Sequence, residues 1–275
     1  MMVVAQTQEQ IRQSRLDVEW EIARRDFVYF LDYVFILEPP QRFAPGEGGR
    51  VPFQKWPYLV ELATLFTSHS HIAILKSRQI GFSWLVGAYA VWHVLFKDGA
   101  TVLMLSRGEK EAAALLDKAK FIYRNLPQSW QLEIGKDSGS ELTVPVMHSK
   151  IVALPSTKDA GRGETASFVI QDDADFHEYL NENYAAVGPT IDAGGQIIMG
   201  STSNKMKLES LFKSVYKGAP ENGWKESFVG WTARPGRDMA WYEKRKANIP
   251  SDELGSLDPD FYMEQEYPAS AAQAL

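Results

Sequence analysis

Residues 76–83, KSRQIGFS, hold the first spacing in the chain that could do chemistry. They stand between a short apolar run, HIAIL, and a long one, SWLVGAYAVWHVLF. A glycine turn between strand and helix aims successive backbone N–H groups at one point, and such a nest holds an anion, above all a phosphate. Gly81 permits the close backbone approach, the N–H groups from Ser77 to Ser83 form the nest, and the Ser83 hydroxyl reaches a Mg2+ ion. The standard loop, G-x-x-x-x-G-K-[ST], would place glycine at Lys76 and lysine at Phe82. Here an ammonium on Lys76, at the strand's end, reaches the phosphates from the other side of the cradle. The bland alternative is a strand–helix turn with incidental charges.

A second stretch, FVIQDDADF, places Asp172 and Asp173 directly after another apolar strand. An ATPase built on a phosphate loop needs one carboxylate for Mg2+ and another to orient the attacking water. Taken alone, such a cluster is often a solvated turn or a helix cap. A third stretch, MGSTSN, ends a strand in Ser201, Thr202 and Ser203, hydroxyls suited to sensing the γ-phosphate and relaying its loss. The three features in this order point to nucleotide hydrolysis. Two further alternatives stay open: a nucleotide-binding module that no longer hydrolyses, for which Phe82 speaks, and a metal-dependent nuclease centred on Asp172, Asp173 and Asp175. Those three acids crowd one turn instead of converging from separate strands. His69, His71, His93, His148 and His177 have no metal-ligand spacing.

The elements that must position these residues alternate. Residues 8–37 read as a helix, with Ile11, Leu16, Trp20, Ile22, Phe27, Phe30, Leu31 and Val34 near helical spacing. Prolines and glycines stop it in 38–53, EPPQRFAPGEGGRVPF, whose centre reads as an exposed connector. Then KWPYLVELATLF is helical, HIAIL a strand, and SWLVGAYAVWHVLF a helix apolar all round and hence buried. ATVLMLS is a buried strand and EKEAAALLDKAKFIYRNL an amphipathic helix closed by Pro127. Shorter strands near 142–154, then SFVIQ and QIIMGS, complete a parallel sheet covered on both faces. The end of the chain reads as a strand-like run, a Pro-Gly turn and two short helices. The fold class is therefore α/β.

Composition sets outer bounds. The 275 residues are 45% apolar and 23% charged, ordinary values for a soluble globular protein. With no cysteine, thiolate metal sites and thiol nucleophiles are excluded. No run approaches a membrane span, and the N-terminus turns polar too soon for a signal peptide, so a soluble intracellular protein is expected. A net charge of −6 gives no support for a nucleic-acid binder, although a local patch or an assembled ring can supply a positive field.

Over Phe27 to Pro268 these motifs resemble the large terminase subunits of tailed phages, the ATPases that pump DNA into procapsids. In that family the loop often reads S-R-Q-x-G-K-[ST], and some members move the lysine to the loop's first position, as Lys76 here. DAGRGETASFVIQDDADF is similar to the family's R-G segment and Walker B strand, PFQKW to its adenine-recognising motif, GSTSN to its coupling motif, and FYMEQEYPAS to the segment closing the ATPase domain. The resemblance implies a P-loop (ASCE/RecA-like) αβα sandwich with a mainly parallel sheet and a small lid subdomain. It divides the chain into an N-terminal helical or lid segment and connector (1–53), an ATPase core (54–218), and a lid subdomain with hinge (219–275), with the family's nuclease domain missing.

Residue by residue, the resemblance implies that Gln54 contacts adenine and that Lys76, Ser77, Arg78, Gln79, Ile80, Gly81, Phe82 and Ser83 form the nucleotide loop. Arg78 would also sense the γ-phosphate. Ser83 and Asp172 would hold Mg2+, Asp173 would polarise the water, and Ser201, Thr202 and Ser203 would couple hydrolysis to movement. Arg162 would be an arginine finger acting on a neighbouring subunit. The implied partners are ATP, Mg2+, double-stranded DNA, a portal protein, a small terminase subunit and further copies in a ring. The implied setting is the host cytoplasm, docked transiently on the procapsid. A helicase-like ATPase is the alternative within the same chemistry. Two departures stand out: Phe82 replaces the usual lysine, and Asp173 the usual glutamate, one methylene longer.

Overall fold

The computed structural model describes residues 15–39 and 49–275. The N-terminal helix α1 covers residues 15–25. Helix α2 (Phe27–Phe30) follows at once, started by Asp26, whose side chain accepts the Tyr29 N–H. A 3-10 turn (Leu31–Tyr33) then leads into strand β1 (Phe35–Glu38), which pairs antiparallel with β2 (Gly49–Pro52). The helix expected over 8–37 therefore ends by residue 33, and its last four positions are extended. Ile36 turns inward while Leu37 stays exposed, the two-residue alternation of a strand. Residues 8–14 of that expected helix, and most of the expected connector, lie outside the described residues.

Helix α3 (Pro57–Ser68) opens with proline at its first position, where the missing N–H costs nothing. Next come β3 (His71–Lys76), α4 (Phe82–Phe96), β4 (Thr101–Ser106) and α5 (Glu109–Asn125). Strands β5 (Asp137–Ser138), β6 (Glu141–Val144), β7 (Ser149–Pro155) and β8 (Phe168–Asp172) follow, then α6 (Leu180–Asp192), β9 (Gln196–Ser201), α7 (Leu211–Lys217) and β10 (Lys225–Val229). The sheet order is β10-β3-β9-β8-β4-β7-β6-β5. Neighbours from β10 to β7 are parallel, and β6 and β5 form an antiparallel edge. β9 is thus inserted between the strand carrying the glycine loop and the strand carrying the acidic pair.

The sheet is the middle of three layers. On one face Ile72, Ile74, Val102, Met104, Phe168 and Ile170 pack with side chains of α3, α4 and α5. Their alternate neighbours Ala73, Leu75, Leu103, Leu105 and Val169 pack on the other face with Val187, Ile191 and Phe212 from α6 and α7. Helix α4 is buried on nearly every side, as its apolar run requires. Phe27, Phe30, Val34 and Phe53 belong to the first cluster, so the described part of the N-terminal segment is built into the main core. A third, smaller cluster of Trp231, Tyr262, Met263 and Tyr267 lies toward the C-terminus. There α8 (Met239–Ala247), α9 (Ser251–Leu254), α10 (Pro259–Glu266) and α11 (Ala271–Ala274) stand where two short helices are expected. β10 extends the core sheet beyond the boundary expected at 218. No described helix is long and apolar enough to cross a membrane.

The departure at Phe82 has a packing reason. Its side chain is buried, edge-on to Phe66, and a Cβ at Gly200 would stand 2.3 Å from its ring. Gly200 of β9 is the gap that the ring fills. Gly200→Ala should therefore cost about 1–3 kcal/mol by overpacking. In a Phe82→Ala background the same change should cost almost nothing, so a double-mutant cycle by urea unfolding should be strongly non-additive. Equal costs in both backgrounds would contradict this packing.

Candidate nucleotide site

The functional stretches meet at the carboxyl edge of the parallel strands, where open α/β sheets bind ligands. They surround a cavity of about 1070 Å³ lined by Lys76, Gly81, Ser83, Asp173 and Thr202, among others. Gln54 lines it too, its side-chain amide donating to the Pro52 carbonyl at 3.2 Å.

The loop turns by left-handed backbone at Gln79 (φ 57°) and Gly81 (φ 83°). Glycine adopts this conformation at little cost; glutamine must be held there. Side chains from both flanks do so. The Tyr58 hydroxyl donates to the Ile80 carbonyl at 2.8 Å. Arg237 donates to the Arg78 carbonyl at 3.0 Å and to the Gln79 carbonyl at 3.2 Å, and Arg234 donates to Gln79 as well.

The expected nest is shorter than Ser77 to Ser83. The Ser77 N–H donates to Val229 and the Arg78 N–H to Glu266, each at 2.8 Å, because β10 and α10 lie against the end of β3. The Ser77 hydroxyl also donates to the Glu266 carbonyl, at 3.2 Å. Among the described residues, the N–H groups from Gln79 to Ser83 have no partner and remain for an anion. Phe82 supplies only its backbone there, since its side chain lies in the core.

Lys76 takes the central place. Its buried ammonium donates to Asp173 Oδ1 at 3.3 Å and lies 3.7 Å from Asp172 Oδ1. It also sits 5.3 Å from the centre of the Phe82 ring. Ser83 Oγ donates to Asp172 Oδ2 at 2.7 Å. Burial opposes the Lys76 charge, but Asp173 and then Asp172 outweigh it and hold the ammonium's pKa above its ordinary value. Burial pushes the Asp172 carboxyl up against the pull of Lys76, and the neighbouring Asp173 adds to the rise. Burial works the same way on Asp173, but the charge and hydrogen bond of Lys76 prevail and hold its carboxyl below the ordinary range.

The two acids are not equivalent. Asp173 has left-handed backbone (φ 55°), which turns its carboxylate toward the cavity. Its side chain is 42% exposed against 9% for Asp172, so Asp173 is the one that water can reach. Asp172 and Ser83 present adjacent hard oxygen donors, the set that Mg2+ takes together with phosphates, and the Lys76 ammonium beside Asp172 marks the spot as attractive to a cation. Among the described residues no group of three acidic or histidine side chains could hold a metal. Asp175 accordingly does not join its neighbours in a nuclease-type cluster; its carboxylate faces Ser210 and Lys213.

Other expected residues are placed differently. Arg78 lines the cavity from the C-terminal side, with its guanidinium 3.3 Å from the Tyr262 hydroxyl, 3.5 Å from Glu253 and 3.9 Å from Glu266. It is thus anchored to α9 and α10, away from the acidic pair. Arg162 is exposed on a turn outside the cavity, 3.4 Å from Asp159 of the same turn. Ser201 Oγ accepts the Asp175 N–H at 3.0 Å, and the buried Ser203 hydroxyl has no partner among the described residues.

Sequence reasoning missed Arg107, Lys118, Trp56, Arg234 and Arg237. Arg107 and Lys118 line the cavity, and Arg107 follows β4 directly, so the strand-end rule that picked out Lys76 and Asp172 would have found it. Arg234 lies 5.3 Å from the centre of the Trp56 ring. Burial and the adjacent Arg234 charge bring the Arg237 guanidinium down to about 10. Nothing local marks this pair, which reaches the loop only through the fold.

A parallel sheet with an inserted strand, a glycine loop opening α4 and an acid-tipped β8 define a P-loop nucleoside triphosphatase fold of the ASCE class. The chain belongs to the large terminase subunit family: the family model "Terminase large subunit, T4likevirus-type, N-terminal" matches residues 73–269. Its structure is similar to the large terminase ATPase domain of Thermus phage P74-26, with TM-score 0.60, 20% identity, 80% of this chain and 98% of that one covered. It is similar also to the large terminase of bacteriophage HK97, with TM-score 0.63, 15% identity, 84% of this chain and 53% of that one. The large terminase of a thermophilic bacteriophage, in complex with ADP, matches with TM-score 0.51 and 12% identity over 72% of this chain and 47% of that one. The chain spans about half the length of these last two proteins.

Because Lys76 neutralises a carboxylate pair, its removal should be felt without any ligand. Lys76→Met should destabilise the protein by roughly 3–5 kcal/mol near neutral pH, since it leaves a buried charge uncompensated. A carboxyl whose folded pKa is raised binds its proton more tightly folded than unfolded, so its contribution to stability falls as pH rises through the raised value. The deficit of Lys76→Met should therefore shrink as the pH is lowered toward the carboxylate range. Unfolding curves at several pH values check this; a deficit independent of pH would mean that Asp172 and Asp173 do not depend on Lys76.

Proposed function

We propose that this domain binds ATP with Mg2+, hydrolyses it, and uses the cycle to move double-stranded DNA into a procapsid. The observation that carries the reading is the convergence of Lys76, Ser83 and Asp173 in one cavity, beside a nest of unpaired N–H groups, with Asp172 directly behind Lys76 and Ser83. The family match supports the same reading.

In this reading the triphosphate lies along the nest from Gln79 to Ser83, with adenine toward Gln54 and Trp56. Lys76 leaves the carboxylates and meets the phosphates, which carry more negative charge than the acids it gives up. Ser83 and Asp172 would hold Mg2+, which would supply neutralising charge at the phosphates. Asp173, freed from Lys76, accepts a hydrogen bond from the attacking water and orients it. Arg107, on the neighbouring strand end, adds positive charge at the cavity wall. Ser201, Thr202 and Ser203 report loss of the γ-phosphate to the rest of the domain. Arg162 acts from one subunit on the site of the next, in keeping with its exposed turn. A portal protein, a small terminase subunit and a ring of copies complete the machine, at the procapsid in the host cytoplasm.

Three experiments test this. The purified chain should hydrolyse ATP only with Mg2+, faster with DNA and at higher protein concentration. Asp173→Asn should keep nucleotide affinity while kcat drops roughly 10²–10⁴-fold, because the group acts mainly in the transition state. Loss of affinity equal to that of Asp172→Asn would contradict the division of roles. For Arg162, an arginine finger is worth roughly 10³–10⁵ in rate. Mixing inactive Arg162→Ala with inactive Asp173→Asn should restore part of the activity, since some interfaces then pair an intact finger with an intact acid. No recovery in co-assembled mixtures would exclude a finger acting between subunits.

A further inference from the structure

Asp175 is fully buried, yet the hydrolytic chemistry above does not use it. Its backbone N–H donates to Ser201 Oγ at 3.0 Å, and its Oδ2 accepts the Asn204 N–H at 2.6 Å. Its Oδ1 accepts the Ser210 hydroxyl, and Lys213 Nζ lies 3.8 Å from Oδ2. Every one of these partners lies in β9, in residues 202–210 behind it, or in α7. The same segment is held from the acidic strand a second time. Lys207 Nζ donates to the carbonyls of Asp175 at 3.1 Å and His177 at 3.2 Å, while His177 Nε2 donates to the Asp172 carbonyl at 2.8 Å.

The far side of the segment is tied to the C-terminal helices. The Lys205 N–H donates to Gln265 Oε1 at 3.0 Å, and Lys205 Nζ lies 3.3 Å from Glu264 and donates to the Gln273 carbonyl. Gln265 is followed by Glu266, whose carbonyl accepts the Arg78 N–H and the Ser77 hydroxyl of the glycine loop. Lys205, Lys207 and Lys213 turn inward onto protein oxygens, while Met206 and Leu208 are left exposed and only Lys217 of α7 meets the segment at the surface, 3.7 Å from Glu209. An ordinary surface loop does the opposite. Its lysine chemistry serves to bridge the end of β8 to α10.

We propose that Asp175 is a positioning residue that clamps residues 202–210 to the acidic end of β8, so that the state of Asp172 and Asp173 is passed through this segment to α10 and α11. This rests on the nucleotide-site reading above. The Asp175 carboxylate touches no nucleotide; it acts by keeping the Asn204 and Ser210 ends of the segment fixed to the strand that carries the acids. Gln265 is the matching anchor on the C-terminal side.

Hydrogen exchange of the whole chain, with and without Mg2+ and the slowly hydrolysed analogue ATP-γ-S, tests it. In the wild type, nucleotide should change the exchange of amides in 204–210 and in 262–266 together. In Asp175→Asn the fluorescence-measured affinity for a labelled ATP should stay within about threefold. The change at 262–266 should then be lost, and kcat should fall about tenfold or more. Ser210→Asn, which keeps the Asp175–Lys213 contact and can still cap α7, should show a weaker form of the same split and stands in if Asp175→Asn does not fold. Gln265→Ala should abolish the response at 262–266 from the other end. The proposal is overturned if nucleotide leaves 262–266 unchanged in the wild type, or if that response survives in the folded variants. A wild type that binds nucleotide but does not hydrolyse it would remove the proposed function, while the exchange data would still decide the role of Asp175.

Discussion

One buried cation and two carboxylates, at the ends of β3 and β8, set the conditions for everything around them. Lys76, Asp172 and Asp173 come from distant parts of the chain, and β9 lies between their strands. Burying Lys76 or Asp172 alone would be costly, and each is compensated by the other and by Asp173, whose left-handed turn leaves it partly exposed. The same arrangement makes the site responsive. On the proposed function, a polyanion draws the ammonium off the two acids, which then serve a metal and water.

The missing lysine at Phe82 becomes understandable on these terms. The helix start still offers its backbone N–H groups, while the side chain has been turned into a core element against Phe66 and the bare Cα of Gly200. The positive charge has moved to the end of β3, where it lies over the same ring. The departure from the standard loop thus exchanges a cation at the start of the helix for one carried by the end of β3.

Around this centre the C-terminal region supplies a second layer of control. Arg234 and Arg237 hold loop carbonyls, Glu266 takes the Arg78 N–H, and Arg78 itself is bound to Glu253, Tyr262 and Glu266. Burial, and after it the adjacent Arg234 charge, lower the pKa of Arg237. Loop, acids and C-terminal helices therefore form one electrostatic unit.

The sequence by itself determined the alternation of strands and helices, the glycine loop, and the acidic and hydroxyl strand ends, because each is written in local periodicity or in adjacent residues. HIAIL, SFVIQ and QIIMGS appear as β3, β8 and β9, and the apolar run after the loop as the buried helix α4. It misjudged the stretch 35–38, where a few apolar residues fit either period and only pairing with β2 makes a strand. It also passed over α6, whose buried face rests on Leu180, Asn183, Val187 and Ile191, too few apolar positions for a clear helical period. The tertiary structure alone decided which N–H groups of the loop remain free, that Phe82 faces the core, that Arg78 is held by the C-terminal helices, and that Asp175 serves the segment behind β9. Those outcomes depend on side chains from distant parts of the chain meeting in space, and no local pattern encodes which donor will find which acceptor.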